Sequence, residues 1–231
     1  MPVIGVFSRV PDSPTAKSRL RKKLPALLVN RIHKALVQDT LSTVSSVSAE
    51  AICCIWHPES PSSQVINELC PALTDKLVHH LLQEGDGFST RFQNSLMRLS
   101  EIFPKRSLIV IGSDCPVLSP AILAAAIKHL SEGNNVIGPS QRNGFYLIGL
   151  APGNNNLDFT AVFESGNEFN RVSTLLKPKL KILPKLFDID LAEDLRRFVS
   201  WARGLSESAW RPVHLYELCT SEDVSKLLAT I

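Results

Sequence analysis

The sequence predicts one α/β domain built on a central, mostly parallel mixed sheet with helices on both faces. Three observations carry that expectation. Short apolar runs alternate along the chain with longer segments of helical periodicity, the signature of repeated β–α units. The runs are apolar almost throughout, as strands covered on both faces are. The length of 231 residues, with 44% hydrophobic and 20% charged, suits a single substantial core and argues against disorder.

Taken in order, residues 3–7 read as the first strand. Leu24, Leu27, Leu28, Ile32, Ala35 and Leu36 then recur at helical spacing, in a helix that fades near the Ser-rich stretch 42–48. Residues 51–56 read as a second strand, closed by a turn carrying Pro58 and Pro61. A third strand is expected over 76–82, with His79 and His80 on opposite faces, and a helix over 89–102. Residues 108–111 are the clearest strand, bounded by Gly112. Ser119 is placed to cap a helix over 120–130, with Pro120 at its first position. Strands over 135–137 and 145–150 flank a polar turn, 182–187 reads as another strand, and Asp190 opens a helix ending near Arg203. A connector and a terminal helix over 221–229 follow, so the division expected is a domain over 1–204 and a helical extension over 205–231.

Charge and cysteine content narrow the function classes. The net charge of +3 calls for neither nucleic acid nor membrane as partner. Its distribution is uneven: residues 1–34 carry eight Lys or Arg against the single acid Asp12, so that end should attract anions, phosphates above all. Five cysteines without a C-x-x-C pair fit reduced thiols in a cytosolic protein better than a disulfide framework or a zinc site. No signal peptide is read at the N-terminus, and no run approaches the roughly 18 apolar residues that span a bilayer.

In open α/β sheets ligands sit beyond the carboxyl ends of the strands, so the residues just after each strand are the candidates. The loop after the first strand turns on Pro11 and Pro14 and presents Arg9, Lys17, Arg19 and Arg21. Forked guanidinium bonds and ammonium charge suit phosphate there; a basic, solvated loop explains the composition equally well. Asp114, two residues past Gly112, suits a Mg²⁺ or Mn²⁺ that takes one or two carboxylates plus phosphate oxygens. An Asx-turn or a capping role is the plain alternative. Gly144 allows positive φ or a close approach to a ligand, while a hairpin turn at Asn143 and Gly144 accounts for both. Asp190 and Glu193 have the spacing of a capping box, which leaves Asp188 free to lean toward a metal. The exposed loop after the third strand offers the Gly-flanked Asp86, with Arg91 following, to line a pocket. No G-x-x-x-x-G-K-[ST], H-E-x-x-H, G-x-S-x-G or G-x-G-x-x-G occurs, which disfavours P-loop enzymes, zinc proteases, serine hydrolases and classical dinucleotide enzymes.

In this order and spacing the segments resemble a bacterial family of GT-A-fold transferases, DUF2064 or "glycosyltransferase A (GT-A)-like", akin to the molybdenum-cofactor and phospholactate guanylyltransferases. Phe7-Ser-Arg-Val-Pro-Asp-Ser-Pro-Thr-Ala-Lys-Ser-Arg-Leu20 follows the family's F-x-K-x-P-x-P-G-x-x-K-T-R-L, and Gly112-Ser-Asp-Cys-Pro116 keeps its G-S-D-C-P intact. Residues 83–92 and 188–195 are similar to its Q-x-G-D-L-G-x-R-M and D-I-D-T-x-E-D-L segments. Two departures stand out. Ser13-Pro14 replaces the family's P-G, and Arg142-Asn-Gly-Phe-Tyr146 stands where it has D-G-G-Y, with Asn143 nearest the missing carboxylate. The resemblance implies a nucleotide-diphospho-sugar transferase fold and a metal-dependent transferase using a nucleotide sugar or nucleoside triphosphate and an unidentified acceptor. Arg9, Lys17, Arg19, Ser113 and Asp114 would bind the nucleotide, with Lys17 and Asp114 catalytic. Asp114 and Asp188 would hold Mg²⁺ or Mn²⁺, and Asp86, Arg91, Asn143 and Gly144 would contact substrate. Nucleotidyl transfer of the guanylyltransferase type and a non-catalytic, nucleotide-binding homologue are the competing implications.

Overall fold

A computed structural model describes residues 1–69, 71–73, 77–154, 157–164 and 166–230. In chain order the strands and helices are β1 (Val3–Arg9), α1 (Ala26–Ser45), β2 (Ala51–His57), α2 (Ser63–Leu69), β3 (Val78–Leu82), α3 (Gly87–Ile102), β4 (Leu108–Gly112) and α4 (Pro120–Ser131). They continue with β5 (Asn135–Pro139), β6 (Phe145–Leu150), α5 (Glu168–Leu175), β7 (Leu180–Ile182), α6 (Ala192–Arg203), α7 (Val213–Thr220) and α8 (Glu222–Thr230).

The strands form one sheet in the order β3-β2-β1-β4-β6-β5-β7. Among the described strands, β6 alone runs against the rest: it is antiparallel to both β4 and β5, and every other pairing is parallel. The carboxyl ends of six strands therefore share one edge. Phe7 of β1 pairs with Gly112 of β4, so the loops that leave these two central strands start level with each other.

Alternate residues of each strand feed two apolar layers, as a pleated strand requires. Ile4, Val6, Ile52, Cys54, Ile109 and Ile111 face α1, α4, α6, α7 and α8. Val3, Phe7, Cys53, Ile55 and Val110 face α3 and α5. Helices thus cover both faces, as the apolar strands anticipated. His79 and His80 do lie on opposite faces: His79 meets the edge of Phe103, and His80 Nδ1 accepts from Trp56 Nε1 at 3.0 Å. Ser119 caps α4, its hydroxyl accepting from the Ile122 N–H at 3.3 Å. The four described cysteines are free and buried, while Cys70 lies outside the described residues, as does Lys76, the first residue of the expected third strand.

Several elements differ from the sequence reading. The strand expected over 182–187 is the three-residue β7, because Pro184 has no N–H for a ladder. The segment still follows β5, with Leu183 N–H on Ile137 O and Leu186 N–H on Pro139 O. The capping box at Asp190 and Glu193 is replaced by Asp194, whose carboxylate accepts from the Asp190 and Leu191 N–H groups at 2.9 and 2.8 Å. Gly144 sits at φ −90°, and the left-handed residues of that turn are Arg142 and Asn143. The chain past residue 205 is a helix pair rather than a connector and one helix. Leu215, Cys219, Val224 and Leu228 sink into the layer that also holds α1. Beneath them the buried Asp39 of α1 accepts the His214 and Leu215 N–H groups, both at 2.9 Å. No described helix is long and apolar enough to cross a membrane.

Candidate active site

The loop from β1 to α1 folds back on itself before entering the helix. Arg21 holds it, donating Nε to Ala16 O and Nη2 to Ser13 O, both at 2.9 Å, and Nη2 also to Asn30 Oδ1 at 2.5 Å. Arg9 Nη1 donates to Thr15 Oγ1 at 2.5 Å across the same turn. These bonds place Lys17, at φ 51°, so that its stem is buried and its ammonium points across the strand ends. There Nζ meets Asp114 Oδ1 at 2.7 Å and donates to Ile189 O at 2.6 Å.

Asp114 is walled in by protein but leaves half of its side-chain surface open to the cavities around it. Burial pushes its carboxyl up; the opposing charge and hydrogen bond of Lys17, helped by His33 and Arg9, outweigh that and hold it below the ordinary value. The alternative of a turn or cap role is not what its side chain does: it faces a lysine at a cavity floor. Ser113 is buried beside it, its hydroxyl 2.9 Å from that of Ser8.

Two cavities meet at Ser113 and Asp114. The larger, about 480 Å³, lies over β4 and β6 and has aromatic walls, with Phe7, Phe88, Phe92, Phe145 and Phe163 among its lining residues. The rings lock one another: Phe88 and Phe163 meet edge to face at 4.7 Å, Phe92 and Phe163 at 5.1 Å. The smaller, about 160 Å³, lies over β1 and β2 and carries the cationic side chains Arg9, Lys17 and Arg91 with His33 and His57.

Asp188 reaches the larger cavity from the loop after β7. Its Oδ1 is buried and accepts no hydrogen bond, with Arg142 Nη1 standing 3.6 Å away. Burial first, and Asp190 second, push its carboxyl above the ordinary value. Arg142 spends most of its charge on Asp194, with Nη2 at 3.0 Å from Oδ1 and 3.1 Å from Oδ2. Among the described residues no group of three or more His, Cys, Asp or Glu is arranged as a metal cage. Three carboxylates line the larger cavity, Asp114, Glu168 and Asp188, and of these Asp114 and Asp188 follow the carboxyl ends of strands, the latter with an orphaned oxygen. That pair fits a hard divalent cation completing its shell with substrate phosphate and water, and does not fit a cation held by protein alone.

Of the residues singled out from sequence, the structure brings Ser113, Asp114, Gly144 and Asp188 to the larger cavity and Arg9, Lys17 and Arg91 to the smaller. Arg19 is exposed and pairs with Asp190 at 3.1 Å instead of facing either cavity. Asp86 and Asn143 are exposed and line neither. Sequence reasoning missed the phenylalanine wall, because Phe88, Phe145 and Phe163 are far apart in sequence and each looks like ordinary core. It also missed His57, whose place at the carboxyl end of a strand was the available signal.

A family model described as "Uncharacterized protein conserved in bacteria (DUF2064)" matches residues 52–166. The chain fits this family. The DUF2064 span includes Gly112 to Pro116, Arg91 and Asn143-Gly144. Among solved structures, the chain is similar to a provisionally named nucleotide-diphospho-sugar transferase from Desulfovibrio desulfuricans G20, with TM-score 0.79 and 19% identity, covering 100% of this chain and 98% of the other. It is similar to a cytidylyltransferase from Leptospira borgpetersenii serovar Hardjo-bovis, with TM-score 0.54 and 13% identity, covering 99% and 97%. It also resembles Rv0371C from Mycobacterium tuberculosis H37Rv, solved in complex with manganese, with TM-score 0.50 and 12% identity, covering 85% and 96%. At these identities the likeness is one of fold: the chain has the nucleotide-diphospho-sugar transferase fold. No curated protein matches it.

Proposed function

We propose that the chain is a metal-dependent transferase of the glycosyltransferase type, drawing on a nucleotide sugar or a nucleoside triphosphate. The observation that carries this reading is Asp114, a carboxylate at the junction of two cavities beyond the carboxyl ends of parallel strands, held by Lys17. Asp114 and Asp188 would hold Mg²⁺ or Mn²⁺, and the manganese complex of Rv0371C is in keeping with such an ion on this fold. When bound, the ion would supply Lewis-acid neutralisation of the leaving phosphate. The chain's own residues do the positioning. Arg9 and Lys17 attract the phosphates, and Ser113 presents a hydroxyl beside Asp114. The phenylalanine wall gives the larger cavity an apolar flank against which a bound substrate would shed water, strengthening charge interactions there. The catalytic domain would comprise residues 1–204, with 205–231 as a docked helical extension, in a cytosolic protein with reduced thiols.

The test combines ligand binding with product analysis. A donor at a hundred times its Kd adds about 2.7 kcal/mol, roughly 5–10 °C in Tm for a domain of this size. A metal-dependent shift that Asp114→Ala abolishes in a folded protein supports the reading; an unchanged shift overturns the role of Asp114. Release of a nucleoside diphosphate denotes glycosyl transfer, and release of pyrophosphate denotes nucleotidyl transfer of the guanylyltransferase type. One observation favours a second reading. The segment Arg142 to Tyr146 lacks the acid that the resembled family has there, with Asn143 nearest its position, and Arg142 pairs with Asp194 and stands 3.6 Å from Asp188, as a nucleotide-binding homologue without turnover could tolerate. Binding of a donor with no product from any acceptor would select it.

A further inference from the structure

The smaller cavity gathers positive charge without a matching acid. Arg9 arrives from the end of β1, His57 from the end of β2 and Arg91 from α3, so three elements converge on about 160 Å³. The one carboxylate in its lining, Asp114, is already paired with Lys17. Among the described residues no carboxylate lies within 4 Å of Arg9, His57 or Arg91. Two nitrogens are stranded outright: His57 Nδ1 and Arg91 Nε are buried without a hydrogen-bond partner. Unpaired buried charge is costly, and like charges held together add to the cost. The repulsion is felt: burial, then Arg91 and Arg9, push the His57 imidazolium down, and burial, then Arg9, lowers Arg91. A fold that retains such an arrangement beside its candidate centre is holding it for an anion.

We propose that this chamber is a subsite for one phosphoryl group of the substrate, held by Arg9, His57 and Arg91. Size selects a single group. At about 160 Å³ the chamber falls well short of the roughly 300–1,000 Å³ of sites that enclose whole small molecules. Chemistry selects a tetrahedral anion: two guanidinium forks and an imidazole offer several N–H donors at different angles, more than a planar carboxylate uses. Bound phosphate would satisfy His57 Nδ1 and Arg91 Nε and relieve the repulsion between Arg9 and Arg91. The phosphoryl group could belong to the donor or to the acceptor, and the chemistry of the chamber is the same for both. The proposal rests on the transferase reading only for which substrate carries the group, not for the binding itself.

Isothermal titration of the full chain with inorganic phosphate tests it. Wild type should bind, Arg91→Gln should weaken binding by about tenfold or more, and His57→Gln should weaken it several-fold. Without phosphate, Arg91→Gln should melt at or above the wild-type temperature, because the change removes a repelled, desolvated cation. Asp114→Ala separates this proposal from the donor reading: it should abolish metal-dependent nucleotide binding yet leave phosphate binding unchanged or tighter. If a nucleoside triphosphate displaces phosphate, the group is the donor's; if both bind together, it is the acceptor's. Either result supports the subsite. Wild type that fails to bind phosphate in the millimolar range, or Arg91→Gln that binds it as tightly as wild type, overturns the proposal.

Discussion

Lys17 Nζ stands 2.7 Å from Asp114 Oδ1 and donates at the same time to Ile189 O. A single ammonium therefore ties the β1–α1 loop, the end of β4 and the loop before α6 into one rim. Lys17→Met should cost about 1–2 kcal/mol, since it strands a carboxylate and a carbonyl that a methionine cannot serve. In an Asp114→Ala background the same change should cost less, because no carboxylate remains to be stranded. Denaturant midpoints of the four proteins measure the difference, and equal costs in both backgrounds would show that the pair does not couple.

Asp194 organises the acidic loop from below. It is 7% exposed and accepts from Arg142, Gln141 and two backbone N–H groups. Burial pushes its carboxyl up, but the Asp190 and Leu191 N–H groups, with Arg142 and Gln141, bring it below the ordinary 3.8. A depressed folded value stabilises the fold above the unfolded value, and that contribution is lost as pH falls through the folded one. Asp194→Ala should lose about 2–3 kcal/mol at neutral pH. Urea titrations carried from neutral into acid should show the gap between variant and wild type closing only below pH 3.8.

Gly138 gives way to an aromatic ring. A Cβ there would overlap the Tyr146 ring, whose hydroxyl donates to Pro184 O at 3.0 Å and which lines the larger cavity. Gly138→Ala is expected to destabilise by about 1–3 kcal/mol and to shrink any donor-induced rise in Tm. Gly5→Ala is the comparison, because the added methyl meets the flexible ends of Ile55 and Leu99 at 3.1 and 3.2 Å and Val110 Cγ2 at an ordinary 3.4 Å. It should be the milder change in a melting experiment, and the reverse order would refute the steric account.

Asp39 anchors α7 from inside the α1 face. Asp39→Ala removes the acceptor for the His214 and Leu215 N–H groups and should cost about 1–2 kcal/mol. Burial raises its carboxyl despite those donors, so at neutral pH the charge carries a desolvation penalty that sets in as pH rises through 3.8. Asp39→Asn keeps an acceptor and drops the charge. Chemical denaturation should place it well above the alanine variant.

How much of this was legible in the sequence depends on range. The apolar runs at β1, β2, β4 and β6 declared themselves, because burial on both faces leaves no polar alternation to confuse the period. Asp114 was legible from its place just after Gly112. Its partner was not, since Lys17 looked like a phosphate ligand and only the folded loop shows it turned onto the carboxylate. Asp194 was hidden by Asp190 and Glu193, which have the right spacing for a capping box one residue too early. The short α2 and α5 bury Leu69 and Val172 as their one fully buried residue each among those described, too sparse a pattern to read as helical. The cationic chamber is assembled from residues 9, 57 and 91, and no local pattern links them.

The seat that α1 makes for α7 and α8 has a consequence in time. The His214 N–H that Asp39 receives lies 175 positions further along the chain. At about 5–20 residues per second, synthesis leaves that interval open for roughly 10–35 s. Throughout it, the apolar flank of α1 that Leu215 and Leu228 will cover stands exposed on the nascent chain. The layer holding α1 is thus completed only once α7 and α8 have left the ribosome, so synthesis halted before them would leave that flank of α1 bare, open to chaperones and to self-association.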